Sequence, residues 1–346
     1  MTADSQAIHI DIHDASLRDG QHAVGHRLGS EAMRAYAAAI DDTGVATVEV
    51  GHGNGLAASS LLVGQAALSD RDMLAAVRPV LRHAKLGVFF LPGWARIVDL
   101  DMAIGEGAEI VRVAAHCTEG NVTHRYLGYA AKVGLTAHGI LLMSHMTSPE
   151  RLVQIGREMV DAGAQAVGIF DSAGHYLPSD VTVRIGALAT ALPVPIIFHA
   201  HDNLGLSVAN SLAAAQAGAR TIDACALGFG AGAGNTRIEQ LVPVLRRAGF
   251  HTGFDLYRLL EAVRVAQKSL VAQPPTADEA SIVGGLAGVF SGFKQKVLAA
   301  AEQHDIDARD LLFELGRKKA VAGQEDLIEP LAIALAAAAR KRKKVG

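Results

Sequence analysis

The sequence predicts an α/β fold, a (β/α)8 TIM barrel with a helical C-terminal extension. Three observations carry this. Short apolar runs alternate with amphipathic stretches eight times in about 240 residues. Most of the runs lead directly into polar groups, as strands do when they build one site at a barrel mouth. After about Phe250 the alternation stops and helical periodicity alone remains. A doubly wound open sheet is the alternative, since strands buried on both faces look alike in either fold. An open sheet would gather its polar groups at one crevice, whereas here six of the eight runs carry them.

Taken in order, run 8–12 leads toward residues 14–19, and run 47–50 contains Glu49 and precedes His52. Run 86–91 is third, with Phe89-Phe90 inside it. Run 110–114 precedes His116, run 137–143 precedes Ser144 and His145, and run 166–170 precedes Asp171 and Ser172. Run 195–198 precedes His199 and His201, and run 221–227 enters a glycine-rich loop. Helices are predicted over 30–42, 149–162, 178–192 and 206–217. Pro149 and Pro178 sit at helix starts, where a missing N–H costs nothing, and Gly163 and Gly218 fall just past helix ends.

The boundaries follow from this pattern: a catalytic barrel over 1–250 and a helical partner or dimer-contact region over 251–346. In the second region helices are expected over 255–270, 279–303, 307–316 and 326–341, with a break at Gln273-Pro274-Pro275-Thr276.

The chain has 346 residues, half of them hydrophobic, and a net charge of -3, which argues against a polyanionic partner. The basic run 340–344 reads as a solvated helix end, because no aromatics interleave with it. Two cysteines suggest no disulfide framework and point to a reduced, cytoplasmic setting. The N-terminus carries acids where a signal peptide would carry bases, and no apolar run nears the ~20 residues of a membrane span. A soluble protein is expected.

His199 and His201, two apart on a strand, point to one face. Asp19 follows the first run. In a closed barrel only the eighth strand separates the first from the seventh, so the three side chains can converge. One carboxylate and two imidazoles leave about half of an octahedral shell open, suiting Mn²⁺, Fe²⁺, Co²⁺ or Mg²⁺ with substrate oxygens in the remainder. The bland reading is a loop-capping aspartate and two solvated histidines.

Arg18 can hold a carboxylate or an enolate, or simply pair with Glu49. His22 has the proton affinity of a general base. The loop 228–235, with four glycines in eight residues, can hold an anion on its N–H groups or serve as a tight turn. No lysine sits at a strand end, which argues against Schiff-base chemistry.

These residues resemble the 4-hydroxy-2-oxoacid aldolase family, the class II pyruvate aldolases of aromatic and steroid ring degradation. The wider group of metal-dependent barrel lyases and synthases includes isopropylmalate synthase and hydroxymethylglutaryl-CoA lyase. The resemblance spans nearly the whole chain: Leu17-Arg18-Asp19-Gly20 with His22, Glu49-Val50-Gly51-His52-Gly53, Leu91-Pro92-Gly93 and Arg112 to Glu119. It continues through Met143-Ser144-His145-Met146, Asp171-Ser172-Ala173-Gly174, His199-Ala200-His201, Gly230 to Asn235 and Gly323-Gln324-Glu325-Asp326.

The resemblance implies cleavage of a 4-hydroxy-2-oxo acid, of the 4-hydroxy-2-oxovalerate or hexanoate type, to pyruvate and an aldehyde, or the reverse condensation. It implies Mn²⁺ on Asp19, His199 and His201, with Mg²⁺ or Co²⁺ as substitutes. Arg18 would bind the keto or enolate oxygen, Ser172 the substrate carboxylate, and His22 would be the base. The helical extension would dock an acylating acetaldehyde dehydrogenase, in a homo- or hetero-oligomer.

Three positions depart from the family. Phe290 replaces a tyrosine whose hydroxyl meets the C4 oxygen, Phe89 stands where small aliphatics are usual, and Asp202 replaces a histidine. The rival readings are an acyl-CoA-dependent condensing enzyme or lyase, a divergent aldolase with another aldehyde, and a non-catalytic scaffold.

Overall fold

A computed structural model of the chain describes residues 7–345, with side chains through Arg340. Eight parallel strands close into a barrel in chain order: β1 (Asp11–Asp14), β2 (Thr47–Glu49), β3 (Lys85–Phe90), β4 (Ile110–His116), β5 (Thr136–Leu142), β6 (Ala166–Asp171), β7 (Ile196–Ala200) and β8 (Thr221–Ala224). Closure is the pairing of β1 with β8, in which Asp11 faces Thr221 and Asp14 faces Ala224. The open-sheet alternative is thereby excluded.

Helices α1 (Ser30–Asp41), α2 (Asp70–Val77), α3 (Ile97–Gly105), α4 (His124–Lys132), α5 (Pro149–Asp161), α6 (Pro178–Ala191), α7 (Ser207–Ala217) and α8 (Ile238–Arg247) ring the strands. Local chemistry sets their ends. Ser148 caps α5 by accepting the Arg151 N–H, and Pro149 and Pro178 occupy first-turn positions. Gly163 and Gly218 lie in the left-handed region at φ 111° and 116°, ending α5 and α7 as expected.

Two strands differ from the sequence expectation for a physical reason. Residues 8–10 were expected in the first strand but pair with His251 instead: Ile10 N–H donates to His251 O and His251 N–H to Ile8 O. The barrel strand therefore starts at Asp11, and the Leu17 to His22 motif lies beyond it, in a turn and a short 3₁₀ helix (Asp19–Val24). The eighth strand stops at Ala224, because Leu227 takes a left-handed φ of 58° within the 3₁₀ turn Ala226–Gly228.

Beyond the barrel lie α9 (Leu256–Ser269), α10 (Glu279–Ala287), α11 (Lys294–His304), α12 (Ala308–Lys318) and α13 (Ile328–Val345). The single helix expected over 279–303 is two. Gly288, at φ 67°, ends α10, and a 3₁₀ turn (Ser291–Phe293) precedes α11. The boundary drawn at 250 leaves α9 on the appendage side, yet Leu259, Ala262 and Ala266 of α9 are buried in the barrel core. A second core, built on Phe293, Val297, Leu311, Leu315 and Ile328, belongs to α10 through α13.

The appendage is fastened over the barrel mouth. Ser291 N–H donates to Ser172 O at 3.0 Å, Asn203 Nδ2 to Ser281 O at 3.0 Å, and Ser291 Oγ to Asn203 Oδ1 at 3.0 Å. Among the described residues no helix is long and apolar enough to cross a membrane. Of the sequence expectations, that for residues 1–6 at the N-terminus and that for the basic side chains after Arg340 lie outside the described residues.

Candidate active site

β1 delivers the first site residues through a turn anchored by Asp14. Its carboxylate accepts the Ser16 N–H at 2.9 Å and the Tyr36 hydroxyl at 2.7 Å, which folds the chain back across the barrel mouth. Arg18 and Asp19 then point inward and are buried. Both oxygens of Asp19 have donors. Oδ1 accepts Arg18 Nη1 at 2.6 Å, and Oδ2 accepts Asn235 Nδ2 at 2.7 Å and the Ala231 N–H at 3.2 Å. Burial opposes charge on Asp19, but Arg18 and the neighbouring imidazoles hold its carboxyl well below the usual carboxylate range.

β7 carries His199, and His201 follows two residues on, so both rings face the barrel axis. His199 Nδ1 lies 2.9 Å from Asp223 Oδ2, and His201 Nδ1 lies 3.4 Å from Ala231 O. A carboxylate and a carbonyl only accept, so each Nδ1 donates and Nε2 is the nitrogen each ring offers as a ligand. Those two Nε2 atoms face each other at 3.4 Å. With Asp19 they bring three ligand atoms within 4.8 Å of one another. Two buried imidazole nitrogens converging on a buried carboxylate are a donor set that fits a divalent metal. Burial pushes the His201 imidazole down to about 3, which keeps it neutral and able to ligate.

The ion pair with Glu49, one of the two readings of Arg18 from the sequence, is present. Arg18 Nε donates to Glu49 Oε2 at 2.7 Å while Nη1 serves Asp19. Burial opposes its charge, but Glu49 and Asp19 keep it protonated beyond its ordinary range. Its remaining nitrogen, Nη2, is buried without a partner. The guanidinium lies 4.5 Å from the centre of the Phe89 ring, so Phe89 forms the floor under this group.

His22 stands beside Gly53, where a Cβ would come within 2.5 Å of the ring. Glycine is what admits the imidazole here. Burial lowers the pKa of His22, with Asp19 pulling the other way. Ser172, just after β6, accepts the Met143 N–H on its Oγ at 3.1 Å, which leaves its own O–H able to donate elsewhere. Phe290 reaches in from the turn after α10.

Arg18, Asp19, His22, Phe89, Ser172, His199, His201 and Phe290 line one cavity, so the structure brings together all the residues nominated from the sequence. No lysine is among its lining residues. Four N–H groups of the glycine-rich loop, those of Gly228, Phe229, Gly234 and Asn235, donate to nearby carbonyls. The Ala231 N–H and the Asn235 amide both serve Asp19, so the loop aims a ligand. Asp202, the departure beside the histidine pair, accepts the Ser207 N–H at 3.0 Å at the start of α7.

Sequence reasoning gave no role to Asp223, Arg112 or Asn235. The available signal was a charged residue inside an otherwise apolar strand, as in Ile110 to Ala114 and Thr221 to Ala224. A second group, Asp41, Asp42 and His83, also clusters. There Asp41 is occupied by the N–H groups of Arg82, His83 and Ala84, which is a loop cap.

Comparison with known proteins agrees with this geometry. Residues 9–266 match the HMGL-like family, and residues 275–337 match the DmpG-like communication domain. The chain is 57% identical over 329 residues to a 4-hydroxy-2-oxovalerate aldolase from Streptomyces tendae, covering 95% of this chain and 92% of that one. It is 58% identical over 317 residues to a 4-hydroxy-2-oxovalerate aldolase from Serratia proteamaculans (strain 568), covering 92% and 95%. Among solved structures, the carboxyl transferase domain from Rhizobium etli pyruvate carboxylase superposes with a TM-score of 0.75 at 17% identity, covering 96% of this chain and 61% of that one. That likeness speaks to the fold alone. By residues, fold and relatives together, the chain belongs to the HMGL-like family and, within it, to the 4-hydroxy-2-oxovalerate aldolases.

Proposed function

We propose that the protein cleaves 4-hydroxy-2-oxo acids of the 4-hydroxy-2-oxovalerate or hexanoate type to pyruvate and an aldehyde, or condenses them in reverse. The observation that carries this is one cavity lined by the unpartnered guanidinium N–H of Arg18, the imidazole of His22 and the three-donor cluster. Asp19, His199 and His201 would hold the metal, Mn²⁺ with Mg²⁺ or Co²⁺ as substitutes. When bound it supplies Lewis-acid polarisation of the 2-oxo group.

The chain's own residues do the rest. The hydroxyl of Ser172 donates to the substrate carboxylate and sets its orientation. Arg18 Nη2 donates to the 2-oxo oxygen, where negative charge grows as the C3–C4 bond breaks. His22 accepts the proton of the C4 hydroxyl, and the O–H electron pair left on oxygen forms the aldehyde carbonyl as the C3–C4 bond breaks. The electrons of the broken bond pass into the pyruvate enolate, which Arg18 stabilises until a proton reaches C3. Phe89 and Phe290 shape the aldehyde end. Phe290 has no hydroxyl to meet the C4 oxygen, so selection of C4 configuration falls to shape.

A second cavity, of about 310 Å³, adjoins the site across Phe290 and is lined by Leu91, Trp94, Val321 and Ala322 among others. An apolar passage on the appendage side suits a neutral aldehyde. It supports a role for residues 275–337 in docking an acylating acetaldehyde dehydrogenase, within a homo- or hetero-oligomer. Two buried free thiols, Cys117 and Cys225, accord with a cytoplasmic setting.

The acyl-CoA alternative is not favoured, since the high-identity relatives are named as aldolases. The test is to supply 4-hydroxy-2-oxovalerate with Mn²⁺ and follow pyruvate, then run a panel of aldehydes with pyruvate and identify products by mass and chirality. Pyruvate release that stops on chelation is expected. Release of CoA from acetyl-CoA plus a 2-oxo acid, without pyruvate release, would replace this reading with the rival one.

A further inference from the structure

Arg112 lies on β4 with none of its surface exposed, the largest fully buried side chain described. A guanidinium in a barrel interior costs several kcal/mol unless it is well paired. Here the pairing has a direction. Arg112 Nη2 donates to Asp223 Oδ2 at 2.6 Å, and Nη1 lies 3.5 Å from Glu49 Oε1. Its guanidinium carbon sits 4.8 Å from the centre of the Phe170 ring, which fixes its plane. Each carboxylate then holds one residue of the site. Asp223 Oδ2 faces His199 Nδ1 at 2.9 Å, and Glu49 Oε2 faces Arg18 Nε at 2.7 Å. Arg112 itself does not line the cavity.

We propose that Arg112 is a positioning residue. By holding Asp223 and Glu49 at once, it fixes the ring of the His199 ligand and the fork of Arg18 relative to each other. The inference rests on the reading that Asp19, His199 and His201 hold a metal. A carboxylate behind a ligating imidazole sets its tautomer and ring orientation. Arg112 in turn keeps that carboxylate from rotating, since Asp223 Oδ2 takes both hydrogen bonds while Oδ1 is buried without a partner. Only a planar, multidentate cation can span two acids in this way, so lysine is a poor substitute at the same charge. The network also joins three carboxylates, those of Asp19, Glu49 and Asp223, to two guanidiniums.

The test uses full-length Arg112→Lys, with folding checked by circular dichroism and thermal unfolding. Mn²⁺ affinity is read from free-ion electron paramagnetic resonance during titration. The hydrogen-bonded Nδ1 proton of His199 is followed as a low-field proton resonance, identified by its loss in His199→Asn. Mn²⁺ binding weaker by roughly 10–100-fold, with that resonance shifted or lost in folded protein, is expected. Unchanged Mn²⁺ affinity in folded Arg112→Lys would overturn the assignment, because a purely structural role would lower thermal stability alone. If Arg112→Lys does not fold, the pair Arg112→Gln with Asp223→Asn removes one charge of each sign and is read the same way. Wild-type affinity in that double variant would also overturn it. Asp19→Asn, run in parallel, separates the two ideas: undiminished Mn²⁺ binding there defeats the ligand reading itself, whatever Arg112 does.

Discussion

The proposed mechanism gives His22 the role of base, because it is the one imidazole of the cavity that neither pairs with a carboxylate nor belongs to the candidate ligand cluster. Replacing it with alanine should lower turnover by roughly 10²–10⁴-fold while Mn²⁺ affinity stays near wild type. Wild-type turnover in His22→Ala would remove it from the role. Its pH dependence has a defined sign. The base must be neutral to accept a proton, and burial lowers its pKa, so the neutral form persists to lower pH than for a free imidazole. The acid limb of kcat, measured at saturating Mn²⁺, should therefore fall below the ordinary value of ~6.5. A limb at or above that value would mean another group titrates. At this scale the sequence was most legible where reactive side chains cluster within a few positions, as in Arg18, Asp19 and His22 or His199 and His201. It was least legible where function is indirect. Asp223 and Arg112 are solitary charges in apolar strands, and their roles arise only when distant strands become neighbours across the barrel axis.

Among the elements, the interiors of strands and helices could be read from periodicity, while their ends depended on partners far away in sequence. The start of β1 is set by His251, about 240 positions later, and no local signal reports that pairing. The break between α10 and α11 is a different case, because Gly288 was in plain view, yet the flanking residues keep a helical pattern. What decides it is tertiary: the left-handed turn lets the chain drop Phe290 into the cavity and bring Ser291 to Ser172. A non-glycine residue at φ 67° costs about 1–2 kcal/mol, and a Cβ there would lie 2.9 Å from His145 Nε2. Gly288→Ala should therefore lower the unfolding free energy read from urea titration by an amount in that range, moving the midpoint to lower concentration, and also reduce turnover, because the Phe290 wall moves. Retained turnover together with an unshifted midpoint would show that the turn does not govern the wall.

At the scale of the whole molecule, the barrel core and the core of α10 through α13 are separate clusters, and the site lies between Phe290 of the second and a smaller third cluster that includes Phe89 and Phe170. Alternation of runs was enough to announce the barrel. The lid formed by the second core was not announced, because nothing local says where a helical segment will dock. A metal held by the Asp19, His199 and His201 cluster would add a thermodynamic link across the barrel. Asp19 comes from the start of the chain and His199 and His201 from its second half, so an unfolded chain offers no matching site. An ion that binds only the folded state stabilises it by RT ln(1 + [L]/Kd), about 2.7 kcal/mol at a concentration of 100 Kd. For a chain of this size that amounts to a rise in Tm on the order of 5 °C. Thermal unfolding across a Mn²⁺ series should show the melting temperature climbing with the logarithm of concentration, and a chelator should return it to the metal-free value. Asp19→Asn should flatten the climb, because one of the three donors then loses its charge. A melting temperature indifferent to Mn²⁺ over the range that saturates catalysis would mean that the ion, wherever it acts, is not held by this cluster.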